Sequence, residues 1–99
     1  MEQIKRIEQM EAYLDKGEAH VKQLQQLVED FATTQEELTQ LFDYYSSEQW
    51  LEDKEASDNY QLPPELKCGI LSEDAIYNLM TEHRSLAIRL LELATQMLR

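Results

Sequence analysis

The side chains best suited to metal chemistry are sparse in this chain, which has two histidines and one cysteine. Helix-bundle metal sites place a glutamate three positions before a histidine, so that both side chains share a helix face. Here the residues three before His20 and His83 are Gly17 and Met80. We therefore expect no metal site. His83 lies on an apolar helix face, and we expect a nearby carboxylate or carbonyl to satisfy it.

Nucleophilic catalysis has equally little support. A reactive thiolate needs neighbouring positive charge and usually a histidine base. Cys68 follows Lys67, but the sequence offers no Cys–His arrangement, so a simple loop thiol is expected. The two glycines, Gly17 and Gly69, form no phosphate-cradling loop. We expect no cofactor and no enzymatic activity.

The charge balance narrows the classes of partner. The 99 residues carry 20 acidic and 9 basic side chains, a formal charge of −11. Nucleic-acid affinity depends largely on Lys and Arg contacts to phosphates, and anionic lipid attracts basic segments, so we expect neither partner. No apolar run approaches the roughly 20 residues of a membrane span. Without a secretory segment or a disulfide framework, a cytoplasmic location is expected.

Aromatic residues form the most suggestive group. Tyrosine and tryptophan are enriched in binding hot spots, because they bury a large area and keep a polar tip. One interpretation is a patch that binds a protein partner; the other is that the rings close the end of a helix bundle beneath a loop. The candidate patch comprises Tyr44, Tyr45, Trp50, Tyr60 and Tyr77.

The elements that position these residues are predicted to be helical throughout. Glycine and proline total only four residues, which argues against folds that need frequent turns. Residues 2–45 show an apolar repeat of seven, typical of a long helix packed along its length. Gly17, or a capping box from Thr34 to Glu37, would be the places for a break. The seam positions are Ile7, Met10, Leu14, Gly17, Val21, Leu24, Val28, Phe31, Gln35, Leu38, Phe42 and Tyr45.

The rest of the chain divides into a short helix, a loop and a last helix. Ser46 or Ser47 is expected to cap a helix over about 47–55, followed by an ordered loop over 56–72. The last helix is expected over about 73–98, capped by Ser72. Leu71 and Ile76 have the spacing of a hydrophobic staple across that cap. Because this segment is the most apolar, it is predicted to be the best buried.

Helix lengths raise the question of assembly. A helix over 2–45 spans roughly 66 Å and one over 73–98 roughly 39 Å. We expect these two helices to pack as an antiparallel, coiled-coil-like hairpin, with the short helix and the ordered loop between them. In that hairpin, the start of the first helix has no partner in its own chain. Either it folds back at Gly17 as a third helix, or it pairs with a second copy, with a dimer favoured. The candidate self-association residues are Ile4, Ile7, Met10 and Leu14.

Two blocks of sequence carry a family resemblance. These are YYSSEQW at 44–50 and the last-helix segments LSEDAIYNL at 71–79, RSLA at 84–87 and LLELAT at 90–95. They resemble a family of small bacterial proteins, mainly Gram-positive, described only as domain of unknown function 4298. The resemblance covers most of the chain, implies an all-helical protein without an assigned activity, and carries over no catalytic residues. We expect residues 1–99 to form a single helical domain.

Three functional hypotheses remain from the sequence. The first is a non-enzymatic protein-interaction or scaffold module that self-associates through its first helix and binds a protein partner that the sequence does not name. The second is an acidic decoy that blocks the basic groove of a nucleic-acid-binding protein, since complementary fields favour encounter. The third is a helical bundle that binds a small molecule, which would need a closed pocket with convergent polar groups.

Overall fold

The computed structural model describes residues 1–99, and every regular element in it is a helix. Helix α1 covers Glu2–Tyr45, α2 covers Glu48–Asp58 and α3 covers Ala75–Met97. A single 3-10 turn at Gly69–Leu71 lies in the segment between α2 and α3. The all-α class predicted from the scarcity of turn residues is confirmed.

Helix α1 is continuous through both positions at which the sequence allowed a break. At Thr34 the hydroxyl Oγ1 donates to the carbonyl oxygen of Asp30 at 3.3 Å. That bond runs back along the same helix, so the side chain does not cap a new one. At Gly17 the helix accepts the conformational cost of glycine without a kink large enough to end it.

The chain divides into two compact units, residues 1–37 and residues 38–99. The first unit is one stretch of α1 and contains no buried residue. The second unit contains the last turns of α1 together with α2, the 3-10 turn and α3. Because the division falls inside α1, the single-domain organisation over 1–99 stays a prediction.

Within the second unit, the end of α1 and helix α3 contact each other as an antiparallel hairpin. The ring of Phe42 meets the ring of His83 edge to face, with centroids 5.4 Å apart and planes at 77°. The short helix and ordered loop lie between the two arms in the chain, which confirms the predicted hairpin.

Helix α2 begins where its capping residue predicts and ends later than expected. The Ser47 hydroxyl accepts a hydrogen bond from the backbone N–H of Trp50 at 3.3 Å. The helix then runs to Asp58, three residues past the expected end at 55, so the first three residues of the loop expected over 56–72 are helical. Lys54 Nζ bonds to Asp58 Oδ1 at 3.0 Å across this last turn, where such a pair supports helix.

The start of α3 contains the core of the second unit. Ser72 Oγ accepts a hydrogen bond from the backbone N–H of Ala75, the first residue of α3, at 3.2 Å. The N-cap position itself is occupied by Asp74, whose side chain makes no capping bond, so the cap lies two residues after the expected one. The helix itself begins at Ala75, two residues after the expected start. Leu71 and Ile76, the expected staple pair, are the two buried residues of the chain, at 6% and 2% exposure.

The last helix matches the expectation of best burial only at its start. It is the one helix with a buried residue, Ile76, but most apolar side chains farther along it are exposed, including Leu86, Leu90 and Met97. Burial depends on an opposing surface, and the first turn of α3 is where the 3-10 turn packs. An apolar stripe alone therefore does not locate the core.

Candidate functional site

Three aromatic residues at the end of the hairpin, Tyr44, Tyr45 and Trp50, form what we call the aromatic cluster. The rings of Tyr45 and Trp50 meet edge to face, with centroids 5.1 Å apart and planes at 74°. This geometry is favourable, because the positive edge of one ring points at the negative face of the other. All three residues are half-buried.

The polar tips of the cluster bind the backbone of the segment between α2 and α3. Trp50 Nε1 donates to the carbonyl oxygen of Ile70 at 2.9 Å. The Tyr45 hydroxyl donates to the carbonyl oxygen of Glu73 at 3.2 Å. These bonds join α1 and α2 to the segment between α2 and α3, which favours the bundle-closing interpretation for Tyr45 and Trp50.

Tyr44 makes the third polar contact of the cluster. Its hydroxyl donates to Asp53 Oδ2 on α2 at 2.6 Å. Desolvation of the phenol, the hydrogen bond to Asp53 and the negative charge of that carboxylate raise the pKa of Tyr44 to about 12. The phenol therefore stays protonated, and remains a donor to Asp53, well into the alkaline range.

The structure leaves the other two predicted patch residues outside this cluster. Tyr60 follows the end of α2 in a left-handed backbone conformation, with φ of 57°, and its side chain is 95% exposed. Tyr77 lies in the first turn of α3 and is also exposed. The five candidates thus divide into three residues engaged in the fold and two open to solvent. Their role in binding a partner stays a prediction.

Two clefts flank the cluster, and the sequence predicted neither of them. The larger, of about 430 Å³, is lined almost wholly by apolar atoms. Its lining residues are Leu41, Lys67, Gly69, Ile70, Ala75, Ile76 and Leu79. The smaller, of about 300 Å³, lies beneath the loop and contains the Cys68 thiol. The apolar loop residues, such as Leu62 and Ile70, were the sequence signal that this loop packs against helices.

The predicted self-association residues lie on an open face of α1. Ile4, Ile7, Met10 and Leu14 are each 51–53% exposed. The apolar stripe continues beyond them, and its later members are exposed too. These later members are Val21, Leu24, Val28 and Phe31. We call the eight residues together the α1 stripe.

The side chains that bind metals do not converge in this structure. No group of three or more His, Cys, Asp or Glu side chains is placed to hold an ion. His83 packs on Phe42, whereas Cys68 lies in the loop between α2 and α3. Among the helices, none combines the length and the apolar character that crossing a membrane requires.

Comparison with known proteins identifies a family without a described activity. No curated protein and no solved structure matches the chain. A family model does match, over residues 7–93, which is most of the chain. The match includes the block at 44–50 and all but the last two residues of the last-helix block that ends at 95. The chain therefore belongs to the family described as domain of unknown function (DUF4298).

Proposed function

We propose that this protein is a non-enzymatic interaction module that self-associates through its first helix. The observation that carries the proposal is the exposure of the α1 stripe, whose first four members are each more than half exposed in the single chain. A contiguous apolar face of this length on a protein surface is typical of an interface. Pairing with a second copy would remove the stripe from water.

The continuity of α1 supports pairing with a second copy over folding back. A fold-back would place residues before Gly17 against residues after it, as two antiparallel helices. Instead α1 runs without interruption from Glu2 to Tyr45. One continuous helix cannot cover its own stripe, so the covering surface has to come from another element.

The oligomeric state tests this proposal. We expect sedimentation equilibrium or light scattering at tens of micromolar to give a mass about twice the 11.7 kDa of the chain. Leu14→Glu places a charge in the stripe and is expected to yield the monomer. Gln9→Glu adds the same charge on the polar face of the same helix and is expected to leave the dimer intact. A wild-type protein that stays monomeric at these concentrations would contradict the proposal.

The second proposed contact is with another protein, at the hairpin end. Tyr60 and Tyr77 are the exposed aromatic residues there, and the larger cleft offers apolar surface on the same unit. Tyrosines of this kind contribute contact area at low entropic cost. Because both side chains are exposed, Tyr60→Ala and Tyr77→Ala probe binding without removing a contact of the aromatic cluster.

Affinity purification from the native cell, at low and high salt, separates this contact from the acidic-decoy hypothesis. Exposed charges are screened over about 10 Å at 0.1 M salt. A decoy is therefore expected to lose its partner as salt rises, whereas an aromatic contact is expected to survive salt and weaken in Tyr77→Ala. A partner lost at high salt and unaffected by either tyrosine substitution would refute the aromatic contact.

A further inference from the structure

Gly17 occupies the middle of the apolar face of α1, where glycine weakens a helix. Neither backbone conformation nor steric space within the chain requires glycine at this position. Its φ is not positive, and an added Cβ would meet no atom within 4 Å. A missing side chain on an interface is useful when a second backbone or a large side chain approaches it closely. Gly17 therefore marks a place on α1 where a large side chain of a second copy can approach the backbone closely.

We infer that the second copy lies antiparallel to the first, with Gly17 facing Val21 of the second copy. This inference rests on the proposed self-association and specifies its geometry. In this arrangement, facing residues have numbers that add up to about 38, so each pair occurs twice about the two-fold axis. The apolar layers are Ile7 with Phe31, Met10 with Val28, Leu14 with Leu24, and Gly17 with Val21.

Side-chain volumes favour this orientation. A parallel pair in register sets identical residues opposite each other, so that Gly17 faces Gly17 and Phe31 faces Phe31. The helices would then have one layer without side chains and another with two large rings. The antiparallel pair sets the smallest residue against Val21 and the largest against Ile7, which gives layers of more even width.

Two residues beside the α1 stripe also favour the antiparallel orientation. Tyr13 and Leu27 lie on the same flank of the stripe, and both are exposed. In the antiparallel arrangement, Tyr13 of each copy faces Leu27 of the other, so both side chains gain an apolar neighbour. In a parallel pair the heptad spacing would set Tyr13 beside Glu18 of the second copy instead. Only the antiparallel arrangement uses the extra width of the stripe on this flank.

Distances between spin labels test the orientation. Cys68 is the one cysteine, so Cys68→Ser supplies an unlabelled background, with Cys68→Ala as the second choice if that variant folds poorly. Thr33→Cys places a nitroxide on the polar face of α1. Antiparallel copies would separate the two labels by about 42 Å along the axis, from 28 residues at about 1.5 Å each. Parallel copies would hold them within about 25 Å, the width of two helices.

Ala19→Cys is the matched control, because position 19 lies at the centre of the pairing. Both orientations keep its two labels within about 25 Å, so a short distance there reports the dimer itself. A long distance at 33 with a short one at 19 supports the antiparallel arrangement. Short distances at both positions overturn it and leave self-association intact. A monomeric mass without dipolar coupling at either position overturns both proposals, and any other pair of distances overturns the register.

Discussion

Ile76 is the residue whose truncation tests the account of the core most directly. It is 2% exposed at the start of α3, next in the fold to Leu71 of the 3-10 turn. Replacing it with alanine removes buried methyl and methylene groups and leaves a cavity. Ile88 lies on the same helix and is 47% exposed, so it provides the same chemical change at a position with little burial.

The expected magnitudes follow from these two exposures. Truncation of a buried isoleucine to alanine lowers the free energy of unfolding by about 2–5 kcal/mol. For Ile88→Ala the burial lost is about half, and alanine's higher helix propensity returns a few tenths of a kcal/mol, so we expect less than about 1 kcal/mol. The difference between the variants is therefore expected to exceed about 1 kcal/mol. Ile76→Val, at about 0.5–1.5 kcal/mol, extends the series if the alanine variant is unfolded.

The assay is urea denaturation, with unfolding monitored by circular dichroism and by the fluorescence of Trp50, the single tryptophan. Trp50 contacts the 3-10 turn through its hydrogen bond to Ile70, so its signal reports the region around Ile76. Protomer concentration has to be equal across variants, because self-association raises apparent stability. Equal losses for Ile76→Ala and Ile88→Ala would refute the conclusion that burial is concentrated at the start of α3.

Three further predictions concern single hydrogen bonds. Tyr44→Phe is expected to remove an absorbance titration near pH 12. Because folding raises the pKa of Tyr44 above its usual value of about 10, the protonated phenol stabilises the fold below pH 10, and this stabilisation is lost as pH rises towards 12. The variant should therefore lose less of its free energy of unfolding than wild type over that interval. Trp50→Phe removes the bond to the Ile70 carbonyl and is expected to lower the free energy of unfolding by about 1–2 kcal/mol in urea titrations followed by circular dichroism, and no change would argue against that contact. Ser72→Ala leaves the N–H of Ala75 without its side-chain acceptor, and we expect the free energy of unfolding to fall by about 1 kcal/mol in thermal denaturation. Ser72→Asp keeps an acceptor oxygen and should retain most of that stability.

Local signals were enough to predict the helices and the cap of α2. The heptad pattern of residues 2–45 predicted a helix that the structure shows over Glu2–Tyr45. Ser47 makes the capping bond expected of it, whereas Ser72 bonds to the first N–H of α3 from two residues before the N-cap. Such features depend on residues within a turn of each other, so the chain carries their determinants in consecutive positions. The end of α2 differed from expectation because the Lys54–Asp58 pair supports helix where the composition suggested a turn.

Partners distant in the chain required the tertiary structure. Tyr45 and Trp50 were grouped with Tyr60 and Tyr77 by residue type alone, yet only the first two share a ring contact and bind the loop backbone. In both hydrogen bonds the acceptor is a backbone carbonyl oxygen, a group that every residue has. No side-chain pattern could therefore have singled out Ile70 or Glu73 as the acceptor.

The sequence by itself determined that this protein is helical, which segments form its helices, and which faces are apolar. It could not determine which apolar faces are covered. The stripes of α1 and α3 have the same kind of periodicity, but burial is confined to Leu71 and Ile76. Amphipathic spacing is a property of one helix, whereas burial needs a second surface within contact distance, and only the tertiary structure decides where that surface lies.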